Sequence, residues 1–153
     1  MNSCDMPHTE VDPANARVSD KGSRVHRLIQ ADSPDEPNRW HGVAIEGYKA
    51  PGAHHCGVMR SVLAGTKGFQ VRYFEIAPGG FSSREFHRHE HVVVVMRGRG
   101  EVCLDGTWHE VGFGDTVHVA PLEVHQLRNT GAEPFGFLCV VDAERDAPVR
   151  VES

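Results

Sequence analysis

From Trp40 onward, short apolar stretches alternate with turn-forming residues, and nowhere does the chain hold a helical period. The stretches read VAIEGYK, GVMRSVLAG, FQVRYFEIAPGG, HVVVVMRGRGEVCLDGTWHEV, GDTVHVAP, VHQLRN and FGFLCVVDAERD. They are rich in β-branched residues, and Gly, Pro or Asp-Gly breaks them about every eight to twelve residues, which predicts an antiparallel all-β sandwich or barrel. LDGT (104–107) carries the Asp-Gly pair of a type I′ hairpin. APGG (77–80), GFGD (112–115) and NTGAEP (129–134) predict further turns. Gly79 and Gly80 are expected to end one strand, with a new strand from about Phe81 to His87 and its partner opening at His91. The VVVVM run that follows reads as core strand. Residues 1–38, rich in Pro, Asp, Ser and Asn, are expected to be a flexible or partner-wrapping arm with at most a short ordered piece near RVHRLIQ. Residues 39–148 form the barrel and 149–153 a tail, while AERD (143–146) reads as a solvated turn or the start of a short helix.

Length and charge narrow the field. A chain of 153 residues is one domain, large enough to bury a core. A formal charge of −5 with no Lys/Arg cluster argues against nucleic acid as a partner. The polar N-terminus has no apolar core of a secretory leader, and the Val92–Met96 run is far too short to span a bilayer. The cysteines (4, 56, 103 and 139) are scattered without a C-x-x-C pair, which suggests neither a zinc knuckle nor a disulfide scaffold and fits reduced thiols in a bacterial-type cytoplasm. The expected partner is a small-molecule substrate.

The chemistry concentrates in REFHRHEHVVVVMRGRG (84–100). On a strand, Glu85, His87, His89 and His91 would share one face, but residues four or six apart lie roughly 13–20 Å from each other and cannot meet at one ion. A site here therefore requires the chain to turn within FHRHEH. With RHE as the connection, Glu85 and His87 end one strand and His91 begins the next. His125, after a proline-containing turn, adds a fourth inward-facing group. The alternative set uses His89 with His87, His91 and His125, and needs a bulged loop because only Glu90 separates His89 from His91. Either set is imidazole-rich. It suits manganese, iron, nickel, cobalt or zinc, and not calcium or magnesium, which prefer oxygen ligands. His26, His109 and His118 read as surface residues, and adjacent His54, His55 and Cys56 point to opposite faces.

These two segments resemble the paired motifs of the cupin superfamily. Gly79, Glu85, His87, His91 and Gly98 stand at the spacing of the first motif, with Glu in place of its first His and His in place of its Glu. Gly114, His125 and Asn129 match the second, while Ala120 and Leu122 depart from its Pro and Gly, and Pro121 is displaced by one. The resemblance implies a single antiparallel jelly-roll β-barrel, often a homodimer, with one divalent metal ion in the barrel mouth.

WHGVAIEGYK, GVMRSVLAG, QVRYFEIAPGG, RGRGEV and FGFLCVVDAERDAP are also similar to a bacterial single-domain subgroup of that superfamily. The subgroup includes a manganese-dependent activity of methionine salvage that removes the methylthio group from 1-methylthio-xylulose 5-phosphate with glutathione. By that resemblance His89 is a candidate general base, Cys139 (or Cys103) a candidate relay thiol, and Arg60 or Arg72 a phosphate contact. Two other classes stay open: a non-haem iron dioxygenase of a small thiol or enediol, and a non-catalytic metal- or ligand-binding cupin.

Overall fold

The computed structural model describes residues 23–49 and 54–152, and among them every regular element is a strand. Three two-residue strands come first, β1 (Leu28–Ile29), β2 (Arg39–Trp40) and β3 (Glu46–Gly47). The long strands β4 (Cys56–Gly65) and β5 (Phe69–Phe81) follow, then short β6 (Glu85–Phe86) and β7 (His91–Arg97). The chain continues through β8 (Arg99–Leu104), β9 (Thr107–Gly112), β10 (Thr116–Val119), β11 (His125–Arg128), β12 (Phe135–Asp142) and β13 (Val149–Arg150). No helix among the described residues is long and apolar enough to cross a membrane.

The strands curl into a single antiparallel jelly-roll β-barrel. One half runs β10-β7-β12-β5-β4-β3 and the other β9-β8-β11-β6-β13. Strand β5 belongs to both: Phe69–Ile76 pairs with β12, while Phe81 pairs with Arg128 of β11. The sequence reading ends a strand at Gly79–Gly80, but here β5 bends and continues. Gly79 takes φ 75°, a left-handed conformation that glycine enters at little cost. The bend is pinned to β11, because the Gly79 N–H donates to the Asn129 carbonyl (3.0 Å) and the Asn129 N–H to that of Gly80 (2.9 Å). The buried Asn129 side chain adds bonds to the carbonyls of Ile76 (2.8 Å) and Glu133 (2.7 Å). The strand expected from Phe81 to His87 shrinks to Glu85–Phe86, since the Ser82 N–H turns to the Leu127 carbonyl instead (2.8 Å).

Between the two halves lies the core, built from Val58, Ile76, Val93, Val102, Val119 and Phe135 with their neighbours. Each fully buried aliphatic or aromatic side chain there contributes about 1.5–3 kcal/mol. The valine run obeys the strand period: Val93 and Val95 are buried, while Val92 and Met96 are among the exposed apolar residues. It is therefore core on one face only. Asp105 (φ 45°) and Gly106 (φ 88°) are both left-handed, as a type I′ hairpin requires.

A smaller cluster of Ile45, Met59 and Tyr73 lies apart from this core, with Trp40 packed against it. Residues 34–38 of the predicted arm join the domain as well, since Arg97 donates to the Glu36 and Pro34 carbonyls and the Asn38 N–H to Glu75. The rest of that expectation, residues 1–22, lies outside the described residues. At the other end, β13 pairs with β6, so Val149 and Arg150 of the expected tail close the second half of the barrel.

Candidate metal centre

Strand β6 ends at Phe86, the chain reverses through 87–90, and His91 opens β7. His125 opens β11, directly opposite Glu85 on β6. Three imidazoles from both halves of the barrel meet as a result, and their donor atoms all lie within 4.8 Å of one another: His87, His91 and His125, each buried. His91 Nε2 and His125 Nε2 are 3.2 Å apart.

The rings are oriented from behind. His87 Nδ1–H donates to the His89 carbonyl (2.7 Å) and His125 Nδ1–H to that of Glu123 (2.9 Å), which leaves the Nε2 lone pair of each free. His91 Nδ1 lies 3.4 Å from Cys139 Sγ. Desolvation holds all three imidazoles below their ordinary pKa, and neighbouring imidazoles depress them further. They are neutral at pH 7, the form that binds a cation.

Glu85, placed beside these residues by sequence, is buried with Oε2 accepting from Ser83 Oγ (2.6 Å) and paired with Lys49 Nζ. Lys49 also donates to Ser83 Oγ (2.8 Å), and Tyr48 Oη lies 3.1 Å from that hydroxyl. Burial pushes the Tyr48 phenol up, with the Glu85 charge adding to the effect. His89 stacks flat on His87 with centroids 3.7 Å apart, and its Nδ1 donates to Asp146 Oδ1 (2.8 Å). The same carboxylate accepts the backbone N–H of Arg88 (2.8 Å) and of His89 (3.1 Å), which hold it well below the usual carboxylate range.

A cavity of about 240 Å³ opens beside the imidazoles, and Cys139, Arg72, Arg145 and His89 line it. Cys139 is a buried free thiol that receives a bond from Arg72 Nη2 (3.3 Å). Burial raises its pKa and the Arg72 charge opposes that rise. Cys103 is also free and buried, but it is not part of the cavity wall. Cys56 is disulfide-bonded, which departs from the expectation of uniformly reduced thiols. His109 is exposed, and His118 is exposed and paired with Glu90 (2.5 Å).

Sequence reasoning missed Lys49, Ser83, Arg145 and Asp146. AERD is not merely a solvated turn, because it returns Arg145 and Asp146 to the cavity. No period or spacing marks these residues, which reach the site from loops.

Comparison with known proteins agrees with this geometry. The Cupin domain family matches residues 72–141. A 1-methylthio-D-xylulose 5-phosphate methylsulfurylase of Rhodospirillum rubrum is 41% identical over 113 residues, covering 72% of each chain. Auxin-binding protein 1 of Arabidopsis thaliana is 32% identical over 107 residues, covering 63% of this chain and 53% of that one. Among solved structures, a cupin 2 conserved barrel domain protein from Rhodopseudomonas palustris superposes with a TM-score of 0.72 at 36% identity, covering 83% of this chain and 87% of that one. With its barrel, its paired motifs and these relatives, the chain belongs to the cupin superfamily.

Proposed function

We propose that the protein is a metal-dependent enzyme that removes the methylthio group from 1-methylthio-xylulose 5-phosphate, or a close thioketose phosphate, in methionine salvage. One observation carries the reading: a buried free thiol and a three-imidazole cluster share one wall of a substrate-sized cavity. Identity to the Rhodospirillum methylsulfurylase over most of both chains supports it. A binding-only centre closed by its own ligands has no need of an adjoining cavity.

The donor set fits a divalent transition ion. His87, His91 and His125 would hold it, and Glu85, opposite His125 on the neighbouring strand, is the proposed fourth donor. Imidazole ligands suit iron, cobalt, nickel or zinc, and the added Glu85 carboxylate extends the set to manganese, the metal proposed here. Such an ion supplies Lewis acidity at a ketose carbonyl.

The remaining chemistry belongs to the chain itself. With Nε2 of His91 turned to the cluster, its Nδ1–H donates to Cys139 Sγ, so the sulfur has two N–H donors, His91 and Arg72. Both favour negative charge on the sulfur. Attack of the Cys139 sulfur on the methylthio sulfur, with loss of its thiol proton, forms an S–S bond and breaks the substrate C–S bond, so sulfur gives up one proton for the one that carbon gains. The electron pair left on carbon takes that proton, and His89, hydrogen-bonded to Asp146, is its proposed carrier. One glutathione then releases the methylthio group as a mixed disulfide, and a second frees methanethiol with formation of glutathione disulfide. Carbon is reduced and thiols are oxidised in equal measure.

Incubation of metal-loaded protein with the thioketose phosphate, glutathione and Mn²⁺ is expected to release methanethiol. Folded, metal-loaded protein that releases none would remove the reading. Oxygen uptake in its place would identify a dioxygenase.

A further inference from the structure

Among the described residues, Lys49, Arg60, Arg72 and Arg145 line the cavity against two carboxylates, Glu85 and Asp146. This excess of positive charge stands inside a protein whose formal net charge is −5. Glu85 is paired with Lys49, one of these cations, and Asp146 with His89 and the neighbouring backbone, so neither carboxylate is bonded to an arginine of the cavity. Two of the arginines are brought together by the sheet. Arg60 on β4 lies opposite Phe74, and Arg72 on β5 lies opposite Val62, so the two share the inward face as diagonal neighbours. Arg145 arrives from the turn after β12, anchored by its own bond to the Asp142 carbonyl (2.7 Å).

Of these guanidiniums only Arg60 has a carboxylate partner among the described residues, and a buried Nε is left unused on both Arg60 and Arg72. Arg60 reaches Glu46 through Nη2 (2.7 Å), yet its Nε is buried without a partner. Arg72 spends Nη2 on Cys139, stands over the Phe74 ring at 5.1 Å, and also buries an unpartnered Nε. Burial and the charges of Arg72 and Arg60 disfavour the cationic form of Arg145, so the three guanidiniums repel across a shared space. Buried N–H donors without acceptors are uncommon in folded proteins, and each costs stability unless a ligand satisfies it. Guanidinium forks match phosphate oxygens in geometry and charge.

We infer that Arg60, Arg72 and Arg145 form a subsite for the dianionic phosphate of a small phosphate monoester. Its carbon chain then extends past Cys139 toward the imidazole cluster. This rests on the phosphosugar reading above and deepens it, because it makes the phosphate the handle that positions the reacting end.

Calorimetric titration of the full chain with D-xylulose 5-phosphate and with D-xylulose tests it. The ester is expected to bind at least tenfold more tightly. Arg145→Gln, at an exposed turn position, and separately Arg60→Gln are each expected to cut that preference below threefold. Equal binding of the two ligands, or a preference that survives in both variants, would overturn the subsite. The two proposals fail separately. Loss of methanethiol release with the ester preference intact removes only the methylthio reading. Release with an unchanged KM for the thioketose phosphate in both arginine variants removes only the subsite.

Discussion

Two groups of polar side chains are buried in this domain, one on the inward face of β5 and its neighbours and one on the outward face. Along β5 the period-2 alternation sends Arg72, Phe74 and Ile76 inward, and Tyr73 and Glu75 outward. Outside, Glu75 Oε2 accepts from the Tyr73 hydroxyl (2.6 Å) and the Asn38 N–H (3.2 Å), and Oε1 from Arg97 Nη1 (3.0 Å). Arg97 in turn donates to the carbonyls of Glu36 (2.6 Å) and Pro34 (3.1 Å). Every member has a partner from this chain, and the result fastens residues 34–38 to the sheet. Inside, the three imidazoles have their Nδ1 atoms engaged by groups outside the cluster, while donor atoms of the three rings converge within 4.8 Å, His91 Nε2 and His125 Nε2 at 3.2 Å. The outer group pairs charge with charge, while the inner one gathers three neutral donors that could hold a cation. Burial alone does not distinguish a site from a staple. What does is where the unused lone pairs point.

The contrast makes opposite predictions for the two faces. His125→Ala should give the largest effect: bound metal should fall about 100-fold or more in affinity, with activity lost. The fold should be kept, since the imidazole makes two hydrogen bonds within the chain, to the Glu123 carbonyl and to His91, each worth about 1 kcal/mol. Elemental analysis beside thermal unfolding checks both halves, and a variant that unfolds yet keeps its metal would reverse the assignment. Glu75→Leu should do the converse. It leaves Arg97 and Tyr73 facing an apolar side chain and should destabilise by about 2–4 kcal/mol, discounted from a fully buried pair because Arg97 is partly exposed. Metal content should not change.

Glu85→Gln is a finer cut, because this residue borders the inner group yet is already engaged by Lys49 and Ser83. As a fourth ligand its loss should weaken metal binding by about tenfold. Unaltered affinity in a titration with Mn²⁺ would leave Glu85 as the partner of Lys49 alone.

How much of this the sequence shows follows the same division. His87, His91 and His125 are legible because they sit at fixed distances from turn glycines, and turns are local. The Asp105–Gly106 hairpin is legible for the same reason. Glu75 is not. In FQVRYFEIA the alternation correctly puts it on the face away from Phe74 and Ile76, but an acidic residue there reads as solvent-facing. It is buried with Asn38, more than thirty residues earlier, and Arg97, more than twenty residues later, bonded to its carboxylate. Lys49, Arg145 and Asp146 are hidden similarly, since their role depends on which loops meet at the barrel mouth and no local pattern records that. Position 122 lies between these extremes. The sequence shows that Leu122 stands where the second motif has glycine, and only the structure shows what that departure costs.

Leu122 has φ 65°, the left-handed region that a glycine enters freely and a leucine does not. Its backbone is held there by a useful bond: the Leu122 N–H donates to the carbonyl of His87 (2.7 Å), tying the loop before His125 to a residue of the imidazole cluster. The conformation belongs to the site, while the side chain is 59% exposed and has little burial to lose. Leu122→Gly should therefore relieve about 1–2 kcal/mol of strain. The greater freedom of glycine in the unfolded chain offsets about 0.5–1 kcal/mol of that, for a net gain of about 0.5–1 kcal/mol. Thermal unfolding should move up by about 1–4 °C. Metal affinity should stay the same, because the bond to His87 is made by the backbone. A lower melting temperature would mean that the leucine side chain itself holds the loop in place, and that the departure from glycine is compensated by packing.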